Sequence, residues 1–370
     1  MSAFLVLEDG TVHRGRPYGA HGIAVGEVVF TTSMTGYQEV VTDPSFAGQL
    51  ITYTQPMIGN YGVETDASES AVPAARAVIV REGRNATPNG REGFSDWLAA
   101  RGIVGLQGVD TRAITRRLRD GGSVRGAVST GTAAIAEVLD LVRSEPAMLG
   151  RALAAGVSRL RPESVPARGA ERAHVAVLDY GVKSSIVRLL CEAGARVTVF
   201  PWDCCAADVL ASRPDGVVLA NGPGDPAALP RCVEVVGDLV GAVPLLGICL
   251  GHQLLGQALG LETFKLRFGH RGANHPVIEL DTGRVLVTAQ NHGFAVRPPD
   301  DGRDFDTRFG RARVTHTSLY DGTVEGLELI ALPVSSVQFH PEASPGPHDA
   351  RVTLTEFVTG LAQSAPRAVA

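Results

Sequence analysis

The chain has 370 residues, of which 44% are hydrophobic and 20% are charged, and this composition indicates a globular protein of about two domains. Its net charge of −5 argues against nucleic acid as the main partner, because phosphate binding requires a basic surface. The most apolar long stretch, 233–251, contains Glu234, Asp238 and Pro244, so no membrane span is expected. Without a basic leader or a cleavage site at its start, the chain is predicted to be cytoplasmic.

The first half has the pattern of a mixed α/β domain. Two helices are expected near its end, and Asp110 stands at the N-cap position of the second. Short apolar or β-branched runs predict strands at 4–7, 25–31, 49–54 and 77–80. The two helices are predicted at 94–101 and 111–120. Residues 143–172 are rich in Ser, Pro, Arg and Ala and are predicted to link this domain, 1–142, to the next.

The second half alternates apolar strands with amphipathic helices. The predicted strands are 174–178, 196–200, 216–220, 244–248 and 285–289, and the predicted helices are 184–193, 208–212 and 253–259. This order predicts a mostly parallel sheet with helices on both faces over 173–362, followed by a tail at 363–370. Ligands of such sheets gather at the carboxyl ends of the strands, where the segments beginning at Asp179, Asn221 and Cys249 lie.

Cys249 stands in the sequence Gly-x-Cys-x-Gly between a buried strand and a helix. This is the pattern of a nucleophile elbow, with cysteine in the place of serine. The helix that follows should favour the thiolate form of the side chain. A buried cysteine at a tight turn is the simpler alternative. The other four cysteines, 191, 204, 205 and 232, form no CxxC pair and no zinc site, so they are expected to be free thiols and no metal is expected.

His340 is the candidate base, and Glu342 is its candidate partner. In an extended chain, residues two apart face the same side, so the two side chains should meet, and Pro341 keeps the segment from forming a helix. Cysteine, histidine and glutamate in this order fit a nucleophile, base and orienting acid. His252, in the first turn of the following helix, is interpreted as structural or pocket-lining rather than as the base. His292 is placed in a polar loop after the strand 285–289.

Three segments together resemble the class I, triad-type glutamine amidotransferases. They are 247–253 (Gly-Ile-Cys-Leu-Gly-His-Gln), 221–226 (Asn-Gly-Pro-Gly-Asp-Pro) and 340–342 (His-Pro-Glu). In the first half, the segments 25–39, 42–46 and 108–112 look like the N-terminal domain of the carbamoyl-phosphate synthetase small chain, as does the segment 342–349 near the end. The resemblance runs from about Phe4 to Leu361.

The resemblance implies that the chain hydrolyses glutamine to glutamate and ammonia through a thioester on Cys249, with His340 and Glu342 as the other members of the triad. Backbone N–H groups of Gly224 and Leu250 could form an oxyanion hole. The residues implied to bind glutamine are Ser45, Gly222, Gly224, Leu250, Gln253, Asn291, Gly293 and Phe294. For Ser45, an ordinary turn residue after Pro44 is the alternative.

The resemblance also implies a partner. Ammonia would pass through an internal tunnel to a large synthetase subunit, which makes carbamoyl phosphate for arginine and pyrimidine biosynthesis. The chain has no phosphate-binding loop ending in Gly-Lys-Ser/Thr, so ATP and magnesium are expected on the large subunit and no cofactor on this chain. The alternatives are the glutaminase component of another synthase, a non-catalytic docking subunit, and a stand-alone thiol hydrolase.

Overall fold

The computed structural model describes residues 3–300 and 302–364, which divide into two compact units. The first unit comprises residues 3–151 together with Leu266–Gly272, and the second comprises Ala152–Lys265 and the described residues from Ala273 onward. The predicted domain ranges, 1–142, 143–172 and 173–362, stay predictions. The predicted tail lies outside the described residues from position 365 onward.

The first unit is built from strands with helices between them. In chain order its elements are β1 (Ala3–Leu7), β2 (Val12–Gly19), β3 (Ile23–Thr31), α1 (Tyr37–Thr42), β4 (Gln49–Tyr53), β5 (Met57–Ile58), β6 (Ala77–Val80), β7 (Glu82–Gly83), α2 (Phe94–Ala100), β8 (Val104–Gln107), α3 (Thr111–Gly121), β9 (Val124–Ser129) and α4 (Ile135–Ser144). The strands predicted from short apolar runs are confirmed as β1, β3, β4 and β6. The predicted helices are α2 and α3, and Asp110 caps α3 by accepting a hydrogen bond from the Ala113 N–H at 3.0 Å.

Seven strands of the first unit close into a barrel in the order β1-β2-β8-β6-β4-β3-β9. Closure depends on pairings between strands that are far apart in the chain, such as β1 with β9. Leu5, Leu50, Ile79 and Leu106 lie fully buried in one of the apolar clusters of this unit. The sequence predicted the mixed composition of the domain but not the closed barrel, because spacing along the chain does not reveal which distant strands pair.

The second unit is a layered α/β structure. Its elements are β10 (Glu163–Val165), β11 (Ala173–Asp179), α5 (Ser184–Glu192), β12 (Ala195–Pro201), α6 (Ala206–Ala211), β13 (Gly216–Leu219), α7 (Pro230–Leu239), β14 (Leu245–Ile248), α8 (Leu250–Ala258), β15 (Thr263–Glu279, of which Leu266–Gly272 belongs to the first unit), β16 (Val285–Val296), β17 (Asp304–Thr307), β18 (Gly310–Ser318), β19 (Val324–Leu329), β20 (Val334–Val337) and α9 (Val352–Ser364).

The sheet of the second unit has the order β10-β12-β11-β13-β14-β20-β19-β18-β15-β16, with β17 paired to β18. The central strands β12, β11, β13, β14 and β20 are parallel, which confirms the predicted fold class, and further strands add antiparallel pairings on both sides of this centre. Consecutive residues of β11 face opposite sides: Val175 and Val177 pack with α5 and α9, whereas Ala176 and Leu178 pack with α6, α7 and α8.

The carboxyl ends of the parallel strands therefore lie along one edge of a sheet that is covered on both faces. No helix within residues 3–300 and 302–364 is long and apolar enough to cross a membrane.

Candidate active site

Cys249 occupies the sharp turn between strand β14 and helix α8. Its backbone has φ 54° and ψ −102°, a conformation that is rare for a residue with a side chain and costs on the order of 1–3 kcal/mol. The Cys249 N–H donates to the Val337 carbonyl at 2.9 Å and ties the turn to strand β20. The turn has the strand-to-helix geometry of a nucleophile elbow.

The two glycines of this elbow permit close approaches of the backbone. A Cβ atom at Gly251 would lie 2.1 Å from the Leu219 carbonyl oxygen. A Cβ atom at Gly247 would lie 2.9 Å from the Gly251 carbonyl oxygen and from Ser336 Cβ. A larger residue at either position would therefore push the elbow away from strands β13 and β20.

The Cys249 thiol lies between the start of helix α8 and strand β16. The thiol is buried, and Sγ lies 3.7 Å from the Asn291 carbonyl oxygen. Helix α8 begins at Leu250, so the N–H groups of its first turn and the positive end of its dipole are next to Cys249. Groups of this kind can bind negative charge that develops during a reaction.

Other thiols of the same unit lie in apolar surroundings. Burial raises the pKa of Cys204 to about 12 and the pKa of Cys232 to about 11. Burial also raises the pKa of Cys191. These thiols stay protonated at neutral pH, and a protonated thiol is a poor nucleophile.

His340 and Glu342 form a buried pair. His340 Nδ1 and Glu342 Oε1 lie 2.6 Å apart, and the His340 N–H donates to the Ala289 carbonyl at 2.9 Å. Burial alone would lower the pKa of His340, but the Glu342 carboxylate and then the Cys249 sulfur act against it and raise the pKa well above its ordinary value. The pair is therefore suited to an imidazole that takes up the cysteine proton and remains charged.

The side chains of His340 and Glu342 meet, as predicted, but the extended backbone that was predicted to bring them together is wrong. His340 to Ala343 is a turn closed by a 3.1 Å hydrogen bond from the Ala343 N–H to the His340 carbonyl, and not an extended segment. Pro341 occupies the second position of the turn, where its fixed φ is favourable, and Ala343 has φ 48°. The turn, rather than strand alternation, brings the carboxylate to the imidazole.

Lys183 extends the pair to a third charged group that sequence reasoning missed. Its Nζ lies 2.8 Å from Glu342 Oε1 and donates to the Ser344 carbonyl at 2.5 Å, and its side chain is 3% exposed. Burial acts to raise the pKa of Glu342, but the Lys183 ammonium and His340 outweigh it and hold that pKa far below its ordinary value. Glu342 is thus a carboxylate shared between the Lys183 ammonium and the imidazole. Only the rarity of lysine in this chain could have drawn attention to it.

The segment from Asn221 to Asp225 follows strand β13 beside this triad. Gly222 is required there because its Cβ would lie 2.2 Å from the Tyr180 carbonyl oxygen, and Gly224 has φ 97°. Gly224 forms an isolated antiparallel bridge with Ala152, and Asp225 caps the next turn by accepting the Ala227 N–H at 2.9 Å. The loop is held in one conformation from both sides.

The remaining residues implied to bind glutamine in the second unit lie on α8 and β16. Gln253 is buried and its Nε2 donates to the Phe294 carbonyl at 2.7 Å and to Gln338 Oε1 at 3.1 Å. Asn291 and Phe294 are buried and Gly293 is half-buried, all within strand β16. The Gln253 amide thus links α8 to strand β16, the strand whose Asn291 carbonyl contacts Cys249 Sγ.

Two histidines and Ser45 complete the set of predicted residues. His252 is fully buried, its Nδ1 lies 2.9 Å from Ser336 Oγ, and burial lowers its pKa to about 3. The loop predicted for His292 is wrong: strand β16 continues to Val296, and His292 is buried within it with Nδ1 2.7 Å from the Phe294 carbonyl. Ser45 belongs to the first unit, in a 3₁₀ turn where its N–H donates to Asp43 Oδ1 at 2.9 Å.

Comparison with known proteins gives a family match for each half of the chain. Residues 5–128 match the family "carbamoyl-phosphate synthase small chain, CPSase domain", and residues 176–359 match "glutamine amidotransferase class-I". The chain is 45% identical to the carbamoyl phosphate synthase small chain of Akkermansia muciniphila over 98% of both chains. It is 46% identical to that of Xylella fastidiosa, with 97% of this chain and 98% of that one covered, and 44% identical to the chloroplastic protein of rice, with 96% and 81% covered.

The chain belongs to the carbamoyl phosphate synthase small-chain family. It is the glutamine amidotransferase, or glutaminase, component of that enzyme, as the sequence predicted. A small chain implies a large-chain partner. The N-terminal match also separates this chain from the glutaminase components of other synthases.

Proposed function

We propose that Cys249, His340 and Glu342 carry out the hydrolysis of glutamine. The Cys249 thiolate attacks the carboxamide carbon, and His340 donates a proton to the departing ammonia, which leaves a γ-glutamyl thioester. His340 then activates water, which releases glutamate and restores the thiolate. The observation that carries this proposal is the buried chain Lys183–Glu342–His340 beside a thiol in a strained elbow.

We propose that the oxyanion of each tetrahedral intermediate is bound by the backbone N–H groups of Gly224 and Leu250. Leu250 is the first residue of α8, and the N–H groups at a helix start have no partner within the helix. Loss of one such donor typically costs about 10²- to 10³-fold in kcat. The positive φ and close backbone contacts of the 221–225 loop support this role for Gly224.

We propose that the head group of glutamine is held by Gln253, Asn291, Gly222, Gly293, Phe294 and Ser45. Amide side chains and backbone groups can pair with both the ammonium and the carboxylate of an amino acid. Since Ser45 touches the substrate but not the reacting atoms in this account, Ser45→Ala should raise KM for glutamine and leave kcat within about threefold.

We propose further that the chain works in the cytoplasm as a heterodimer with a large synthetase subunit, which binds ATP and magnesium. That subunit would use the ammonia to make carbamoyl phosphate for arginine and pyrimidine biosynthesis. The names of the relatives and the near-complete coverage of their length support this assignment.

The test is glutaminase activity of the chain and of Cys249→Ser, each with and without the large subunit. Activity that requires Cys249 and rises while the partner turns over ATP and bicarbonate supports the proposal. Activity that survives Cys249→Ser would refute the nucleophile. Activity that requires Cys249 but ignores the partner would favour a stand-alone thiol hydrolase.

A further inference from the structure

We propose that Asp179 is a positioning residue for the triad, because its carboxylate fixes the turn that carries Lys183 to Glu342. The inference rests on the proposed function of the triad. Asp179 contacts none of the three triad residues in the contacts that the structure describes, and the proposed effect passes through Lys183.

Asp179 is the last residue of strand β11 and is 2% exposed. Its Oδ1 accepts hydrogen bonds from the Gly181 N–H at 3.0 Å and from the Val182 N–H at 2.8 Å. A carboxylate that accepts the N–H groups two and three residues ahead holds the chain in a turn directly after the strand. Gly181 has φ +134° in this turn, a conformation that residues with a side chain rarely adopt.

Lys183 lies at the end of the same turn and is held at both ends. Its N–H donates to Asn221 Oδ1 at 3.2 Å, and its Nζ reaches Glu342 Oε1 at 2.8 Å. Because Lys183 follows Asp179 by only four positions, a turn that opens would move the lysine backbone away from Glu342. Asp179 is therefore the anchor of the segment from which the cation projects.

The second carboxylate oxygen of Asp179, Oδ2, bonds to a different segment of the chain, at Arg159. Oδ2 accepts the backbone N–H of Arg159 at 2.9 Å and lies 3.2 Å from Arg159 Nη1. Val157 of the same segment lies against the turn, with its Cγ2 3.0 Å from where a Gly181 Cβ would be. The carboxylate thus receives four hydrogen bonds, two from the turn that it shapes and two from Arg159, which fix its own orientation.

An exposed carboxylate at the opposite end of β11 provides a control for the loss of a charge that bonds to this strand. Asp215 Oδ2 accepts the His174 N–H at 2.6 Å, where the strand begins. Asp215→Asn removes the charge of a residue that also bonds to the backbone of β11, but it leaves the turn at Lys183 untouched. An effect that is specific to Asp179 therefore separates positioning of Lys183 from general support of the strand.

The experiment measures kcat and KM for glutamine in the full chain assembled with its large subunit. Asp179→Asn is expected to lower kcat by about tenfold or more while KM changes by less than about threefold, since charged hydrogen bonds are lost at a site that touches no substrate. Arg159→Ala should lower kcat by about two- to fivefold, because the backbone donor of Arg159 remains. Asp215→Asn should stay within about twofold of the parent chain.

A double-mutant cycle with Lys183→Met tests whether Asp179 acts through the lysine. In the Lys183→Met background, Asp179→Asn should change kcat by less than about twofold, because the cation that it positions is gone. Full additivity of the two substitutions would overturn the proposal, as would an equal loss in Asp215→Asn. Thermal unfolding of each variant identifies any that fails to fold, in which case Arg159→Ala with and without Lys183→Met supplies the cycle.

Cys249→Ser, measured in the same assay, keeps the two proposals apart. If it retains activity, the proposed chemistry fails whatever the Asp179 variants do. If it is inactive while the cycle is additive, the chemistry stands and the positioning role of Asp179 is wrong.

Discussion

Cys249, the proposed nucleophile, has surroundings that differ from those of Cys204 and Cys232, although all three cysteines lie in one unit. Cys249 is strained, lies at the start of a helix and has an imidazole beside it whose pKa its sulfur helps to raise. Cys232 is equally buried, but only the Trp202 carbonyl accepts from its sulfur, at 3.5 Å, among the contacts the structure describes. Burial therefore does not decide reactivity; the polar groups that accompany the thiol do.

Of the substitutions that test this difference between the thiols, removal of His340 should have the largest effect on kcat. His340→Asn takes away the base that receives the Cys249 proton, and a fall in kcat of about 10²- to 10⁴-fold is expected. His252→Asn is the matched control, since His252 is neutral and contacts Ser336 rather than the thiol. Steady-state glutamate release measures both variants. Equal losses in the two would mean that His340 is not the base.

The pH dependence of the free energy of unfolding should report the charged pair Glu342–His340, which accompanies Cys249 and not the other thiols. The folded pKa of Glu342 lies below its ordinary value of 4.5, so its contribution is present above about pH 4.5 and is lost as the pH falls through the lowered folded value. The folded pKa of His340 lies above 6.5, so its contribution is present below about pH 6.5 and is lost as the pH rises through the raised folded value.

Glu342→Gln removes both contributions, and the measurement is the free energy of unfolding in urea at several pH values. The difference between the parent chain and the variant should be largest between about pH 4.5 and 6.5, at about 3–5 kcal/mol, and should shrink on either side. A difference that does not change with pH would show that the pair is not charged in the folded protein.

Substitution of Cys232 should have the smallest effect. Cys232→Ala removes a small buried side chain from an apolar cluster, so about 1 kcal/mol of stability is expected to be lost and kcat should stay within about twofold. Urea unfolding and glutamate release measure the two quantities. A loss of more than about tenfold in kcat at nearly full stability would show that the inert thiol takes part in the reaction.

The local part of the site could be predicted from sequence, and the part that depends on distant segments could not. The Cys249 elbow is written in five consecutive residues, because strand, turn and helix follow one another there. Lys183 bonds to the Ser344 carbonyl, 161 positions away, so no local sequence pattern predicts its place in the site. Asp179 was placed correctly at a strand end, but the four hydrogen bonds that give it a role come from two separate segments.

The fold shows the same division. Four of the five parallel strands of the second unit, β11 to β14, carry their own apolar runs and were predicted, whereas β20 was missed. The end of the strand after position 289 was set too early because Gln290, Asn291 and His292 are polar. These side chains are buried, so their polarity does not mark a surface loop. The closed barrel and the assignment of Leu266–Gly272 to the first unit depend on long-range contacts.

The most direct test of the central claim is to label the chain, assembled with its large subunit, with a chloroketone analogue of glutamine and to locate the adduct by mass spectrometry of its peptides. One adduct per chain is expected on Cys249, and none on Cys191, Cys204 or Cys232. Glutaminase activity should fall in proportion to labelling, and glutamine should protect the chain from both. Inactivation with the adduct on any other residue, or full activity in a chain labelled at Cys249, would contradict it.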